Sequence, residues 1–147
     1  MRYFLFLLFA ACSSFQRIKT EIPLTSSDKT YIFSTHDLNL LLRTFSSVLK
    51  KEGYDVTSQD LQTGKLTAWI ENKDQMAKLN SEFSVGSNYV VSETLSLNLQ
   101  LKNTDQGIEA ALNIKNTEKY SMGEDSVKDL NDRAAYQDIF SKVKLAL

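Results

Sequence analysis

Cysteine, histidine, tryptophan and proline each occur once in the 147 residues, as Cys12, His36, Trp69 and Pro23. A single cysteine excludes an internal disulfide and a cysteine-rich metal cluster. A single histidine means that any nucleophile–histidine pair would have to use His36. Five glycines and one proline are too few for a low-complexity chain, so the body is built of regular elements. Charge of one sign is also lacking. The chain has 17 basic and 18 acidic residues and a net charge of −1, with neither the basic stripe nor the high pI of a nucleic-acid binder. No internal repeat occurs at solenoid periods. The apolar run at residues 3–11 falls far short of the roughly 20 residues that cross a bilayer.

What is present begins at the N-terminus. Residues 1–11 read Met-Arg-Tyr-Phe-Leu-Phe-Leu-Leu-Phe-Ala-Ala: one positive charge, an apolar run and two small residues ending at the sulfur of Cys12. This order is that of a secretory signal with a small-residue cleavage site. Phe9-Ala10-Ala11-Cys12 resembles the lipobox of bacterial lipoproteins, with Phe9 where leucine is commoner. The resemblance implies that Cys12 carries acyl chains after cleavage. One chain holds a protein only marginally, whereas two or more make a stable anchor. Loss of Arg2 with the signal would leave a mature charge of −2. Residues 12–29 then read as a lipidated cysteine and a polar, Ser/Thr-rich tether containing Pro23. Residues 30–147 form one domain.

Within that domain Thr30–Ser34 reads as a strand. Leu38, Leu41, Leu42, Phe45, Val48 and Leu49 then make one helical stripe, with Ser34 or Thr35 as cap and Gly53 as stop. Residues 54–59 and 65–71 read as a hairpin around Asp60–Gly64. Residues 72–88 read as loop with a possible edge strand at 82–85. Leu95, Leu97, Leu99 and Leu101 alternate with polar residues, as do Ile108, Ala110, Leu112 and Ile114 after the turn at Gly107. A polar loop over 117–126 precedes a last helix over 127–146. The expected fold is a two-layer α+β sandwich in the order β-α-β-β-β-β-α, an antiparallel sheet of about five strands with two helices on one face.

Catalytic chemistry is scarce. His36 falls in the first turn of a helix, with no partner positioned by spacing. Asp125, Asp129 and Asp132 suit the positive end of the last helix better than a calcium loop, because EF-hand spacing is missing. No Gly-x-Ser-x-Gly or phosphate-cradling glycine pattern occurs. Neither an enzyme, a metal nor a cofactor is expected. Leu41, Phe45, Trp69 and Leu97 are the candidates to line a ligand cavity between helix and sheet.

The course from Asp37 to Ile70, through Lys50-Lys51-Glu52-Gly53-Tyr54, Val56-Thr57-Ser58-Gln59-Asp60 and Thr63-Gly64-Lys65-Leu66-Thr67-Ala68, is similar to that of small bacterial envelope lipoproteins. It resembles, more distantly, the helix-grip domains of the outer-membrane assembly lipoprotein BamC, and Tyr136–Phe140 with Val143 and Leu147 looks like their closing helix. The resemblance implies a fold and an address: the periplasmic face of the outer membrane, held by the N-terminal lipid. It brings no catalytic motif, and one domain here differs from the several of BamC. The expected role is a non-enzymatic accessory or scaffold binding another envelope protein, through a sheet edge or a groove between the helices. The alternative is a module binding a small apolar or peptidoglycan-like ligand.

Overall fold

Two long strands with strict apolar alternation form the centre of the protein. The computed structural model describes residues 24–72 and 88–147. In it β4 (Val90–Thr104) and β5 (Gly107–Tyr120) pair along their whole length, with Leu97 opposite Ile114, Leu99 opposite Leu112 and Leu101 opposite Ala110. These six side chains point to one face because opposed residues on antiparallel strands share a side. β3 (Lys65–Asn72) adds Leu66 and Ala68 to that face, and β1 (Thr30–Phe33) adds Tyr31 and Phe33. The sheet order is β1-β5-β4-β3-β2, where β2 is Asp55–Asp60.

A sixth strand, β6 (Asp125–Asp129), pairs with residues 115–119 of β5. The sequence pattern predicts loop and helix there. Since β4 occupies one edge of β5, β1 and β6 share the other, β1 at residues 108–111 and β6 beyond it. Between them the edge has no strand among the described residues. The phenol of Tyr136 fills the gap: its Oη accepts the Ile114 N–H (3.2 Å) and donates to the Leu130 carbonyl (3.3 Å). Leu130 N–H in turn donates to the Ile114 carbonyl (2.8 Å). A buried backbone group left without a partner is costly, so the side chain takes the place of the missing strand.

Helices α1 (Leu38–Lys51) and α2 (Arg133–Ala146) lie on the apolar face. α1 starts at Asp37, whose carboxylate accepts the Leu40 N–H (2.9 Å); Thr35 instead supports Asp37, and Ser34 plays no part in the cap. It ends at Gly53, with φ of +90°, the left-handed conformation that glycine enters at no steric cost. α2 starts at Arg133 rather than at residue 127, capped by Asp132. The core under the helices joins Leu41, Leu42, Phe45 and Leu49 to Tyr136, Phe140 and Val143. Phe45 meets Phe33 and Phe140 edge-on, with centroids 5.7 and 6.4 Å away, the geometry that aromatic quadrupoles favour. The β4–β5 turn is held close to β1. A Cβ on Gly107 would stand 2.0 Å from the Phe33 carbonyl oxygen, so only glycine fits.

Candidate binding surface

The residues with chemical potential are dispersed. His36 is exposed, precedes α1 rather than lying in its first turn, and makes no hydrogen bond or ion pair to the described residues. Its neighbour Asp37 uses its carboxylate as a helix cap. Among the described residues no three His, Cys, Asp or Glu side chains group to hold a metal ion, and no helix is long and apolar enough to cross a membrane. Cys12 and the expected strand at 82–85 lie outside the described residues.

The quartet expected to line a cavity is not brought together. Leu41, Phe45 and Leu97 are completely buried in the packed core. Trp69 is on the other side of the sheet, 38% exposed. The reason is parity. On β3, Leu66 and Ala68 face the helices, so Lys65, Thr67 and Trp69 face away. That alternation is readable in the sequence, and it is the signal by which Trp69 could have been assigned to the open face.

That open face is a polar surface carried by the rigid central strands. Thr67, Asn98 and Asn113 form one row across β3, β4 and β5, and Lys65, Gln100, Ala111 and Thr30 form the next, running onto β1. A groove of about 610 Å³ follows these rows from Ser26 and Lys29 to Lys65 and Thr67. Gln100 is fixed by its Nε2, which donates to the Thr63 carbonyl (2.8 Å) and the Leu101 carbonyl (3.1 Å). Thr67 shares a hydroxyl–hydroxyl bond with Thr57 on β2 (3.0 Å). Asn113 Oδ1 has no partner among the described residues. Such a floor offers amide and hydroxyl donors and acceptors with two lysines, Lys29 and Lys65, at its sides. It equips the face for hydrogen-bonded contact and supplies no nucleophile–base pair.

The groove is bounded by a clasp that sequence patterning misses. Residues 24–29 read as the end of a tether, yet Ser26–Lys29 is a short 3-10 helix docked on the start of α2. Leu24 N–H donates to Asn131 Oδ1 (3.0 Å), and the Arg133 guanidinium grips the Asp28 carboxylate at 2.9 and 3.1 Å. The Thr25 backbone N–H and hydroxyl, and then Arg133, hold the Asp28 carboxyl below the usual carboxylate range. Lys29 reaches Asp129 at 3.6 Å, with its Nζ 6.0 Å from the centre of the Tyr136 ring. No periodicity marks these contacts, because they are polar and join residues about a hundred positions apart.

The edge strands β2 and β6 are guarded, and β1, the third, is only four residues long. β2 carries Asp55 and Asp60 at its ends and a register irregularity between Val56 and Ser58. Asp125 and Asp129 bound β6 in the same way. Charges and irregularities of this kind discourage strand addition, so the open face is a better contact surface than an edge.

One solved structure has a comparable course. It is the crystal structure of a DUF4468 family protein from Bacteroides ovatus ATCC 8483, 12% identical, covering 87% of this chain and 91% of its own, with a TM-score of 0.47. Nothing about function passes from it to this chain. No family profile matches the chain, and no curated protein matches it.

Proposed function

We propose that this chain is a lipid-anchored protein of the bacterial cell envelope that holds another envelope protein and catalyses nothing itself. The observation that carries the reading is the sequence Phe9-Ala10-Ala11-Cys12 at the end of a short apolar run, with no second cysteine anywhere to give the thiol another role. The cadence from Asp37 to Ile70 supports the same address, at the periplasmic face of the outer membrane. The open face of the sheet supports the accessory role. It is fixed from behind by the core and carries hydrogen-bonding groups across four strands, which suits recognition of a folded partner.

The test is Cys12→Ser. The substitution is expected to release the protein from the membrane fraction or to leave its precursor uncut. Unchanged processing and fractionation would refute the anchor. Crosslinking in intact cells is then expected to capture an envelope protein through the open face, and capture of none would refute the accessory role.

A second reading, a module for a peptidoglycan-like ligand, is favoured by the groove of about 610 Å³ with its amide and hydroxyl floor. The apolar-ligand version loses its basis, because Leu41, Phe45 and Leu97 fill the space proposed for it.

A further inference from the structure

Residues 24–29 are attached to the body almost entirely by polar groups. Ser26–Lys29 buries none of its residues, and the apolar attachment is Leu24, half-buried against the core. The polar contacts land on the end of β6, the link after it and the start of α2. Leu24 N–H donates to Asn131 Oδ1 (3.0 Å), the Arg133 guanidinium holds Asp28 (2.9 and 3.1 Å), and Lys29 reaches Asp129 (3.6 Å). Exposed ion pairs contribute little each, because water solvates the separated charges nearly as well. Inside the segment, the Asp28 carboxylate accepts the Thr25 N–H (2.9 Å) and hydroxyl (2.8 Å), and the Asp28 N–H donates to the Thr25 carbonyl (3.1 Å). A single turn this short has no stability apart from what it docks on. Its inner and outer bonds therefore hold or break together, through the Asp28 carboxylate that belongs to both.

The segment ends where firm structure begins. Thr30 opposes Ala111 as the first pair of β1 with β5, and the next residue, Tyr31, stacks on Phe140 with ring centroids 5.7 Å apart. Opening can thus stop at residue 30 without disturbing the sheet. The same segment is the wall between two grooves. Ser26 and Lys29 line the groove of about 610 Å³ on the open face. Ser27 and Asp28 line another, of about 380 Å³, which lies between β1 and α2 and reaches Tyr31, Phe140 and Lys144. Thr30 lines both. With the segment swung away, the amide floor of one groove and the aromatic side of the other meet around the sheet edge, with Thr30 between them.

We infer that residues 24–29 form a latch between the two grooves, which opens as one unit while the sheet and both helices stay closed. The inference goes beyond the proposed function and does not rest on the lipid anchor. Where the anchor holds, the chain from Cys12 enters the fold at Leu24, so a pull on it acts on the latch first.

The test is native-state hydrogen exchange on the purified full-length chain, unmutated and as Arg133→Gln. The reporters are the amides of Leu24, Thr25 and Asp28 in the latch. The controls are Ile114 at the seam and Leu101, whose N–H donates to the Gly64 carbonyl (2.8 Å). In the unmutated chain the three latch amides are expected to be protected, and to exchange faster than the controls through one common opening. Arg133→Gln is expected to accelerate all three by the same factor, about threefold to fivefold, the effect of one well-aligned exposed ion pair. Ile114 and Leu101 are expected to stay as they were. Sodium chloride at about 1 M, where the Debye length is about 3 Å, is expected to give the same pattern in the unmutated chain. Unequal factors, with Asp28 accelerated alone, mean fraying residue by residue and overturn the latch. So do latch amides without protection, or latch amides that do not respond to Arg133→Gln. Equal acceleration of Ile114 and Leu101 also overturns it, by making the segment part of the global fold. If Arg133→Gln fails to fold, the salt series on the unmutated chain decides by the same outcomes.

Discussion

Single side chains at the seam of this sheet perform work that strands usually do. Tyr136 is completely buried, and its hydroxyl satisfies Ile114 N–H where β1 has ended and β6 has not begun. Tyr136→Phe keeps the ring and removes the acceptor, leaving a buried donor unpaired. Urea unfolding is expected to show a loss of about 1–3 kcal/mol, and the Ile114 amide is expected to exchange faster with solvent. Two carboxylates give the molecule a pH dependence. The Thr25 N–H and hydroxyl, and then Arg133, depress Asp28; the Thr63 hydroxyl, with the Gln62 and Thr63 N–H groups, depresses Asp60. A carboxylate with a depressed folded value stabilises the fold above its ordinary range, and that stabilisation is lost as pH falls through the folded value. The melting temperature is therefore expected to fall on acidification below about pH 4, and Asp28→Asn to flatten that fall by removing one of the two contributions. A melting profile equally steep in Asp28→Asn would assign the acid sensitivity elsewhere.

Elements differ in how openly the sequence displays them. α1 is legible because one stripe, two terminal lysines and Gly53 all agree, and only its cap is displaced, from Ser34 or Thr35 to Asp37. Asp37→Ala is expected to cost about 1 kcal/mol by thermal melting. β4 and β5 are legible because one face is buried and the other wet, so leucines alternate with polar residues along both. β6 is hidden for the opposite reason. Asp-Ser-Val-Lys-Asp lacks a buried face, and Val127, its only apolar residue, is 60% exposed. Its place comes from backbone pairing with β5, which leaves no trace in hydropathy, while its acids imitate the first turn of a helix. The clasp at 24–29 is hidden likewise. Its contacts join residues far apart in the chain through polar groups that look like linker composition.

At the scale of the whole molecule, the two faces of the sheet have separate duties. The helix side holds the core, including the three residues expected to line a cavity, while Trp69 and the amide rows occupy the other side. Paired substitution of Thr67 and Asn98 by alanine is expected to cost about 1–2 kcal/mol and to leave the fold intact, since it removes the Thr57–Thr67 hydroxyl bond from the half-buried Thr67 and leaves the core untouched. The same pair is expected to lose crosslinking to an envelope partner, and retained crosslinking would move the contact surface off this face. The shared outer edge of β5 also imposes an order in time. β1 has no partner until residues 108–111 exist, and the seam stays open until Tyr136 arrives. A chain delivered from its N-terminus thus carries its first strand unpaired through most of its own synthesis or export, and completes the sheet only with its last helix.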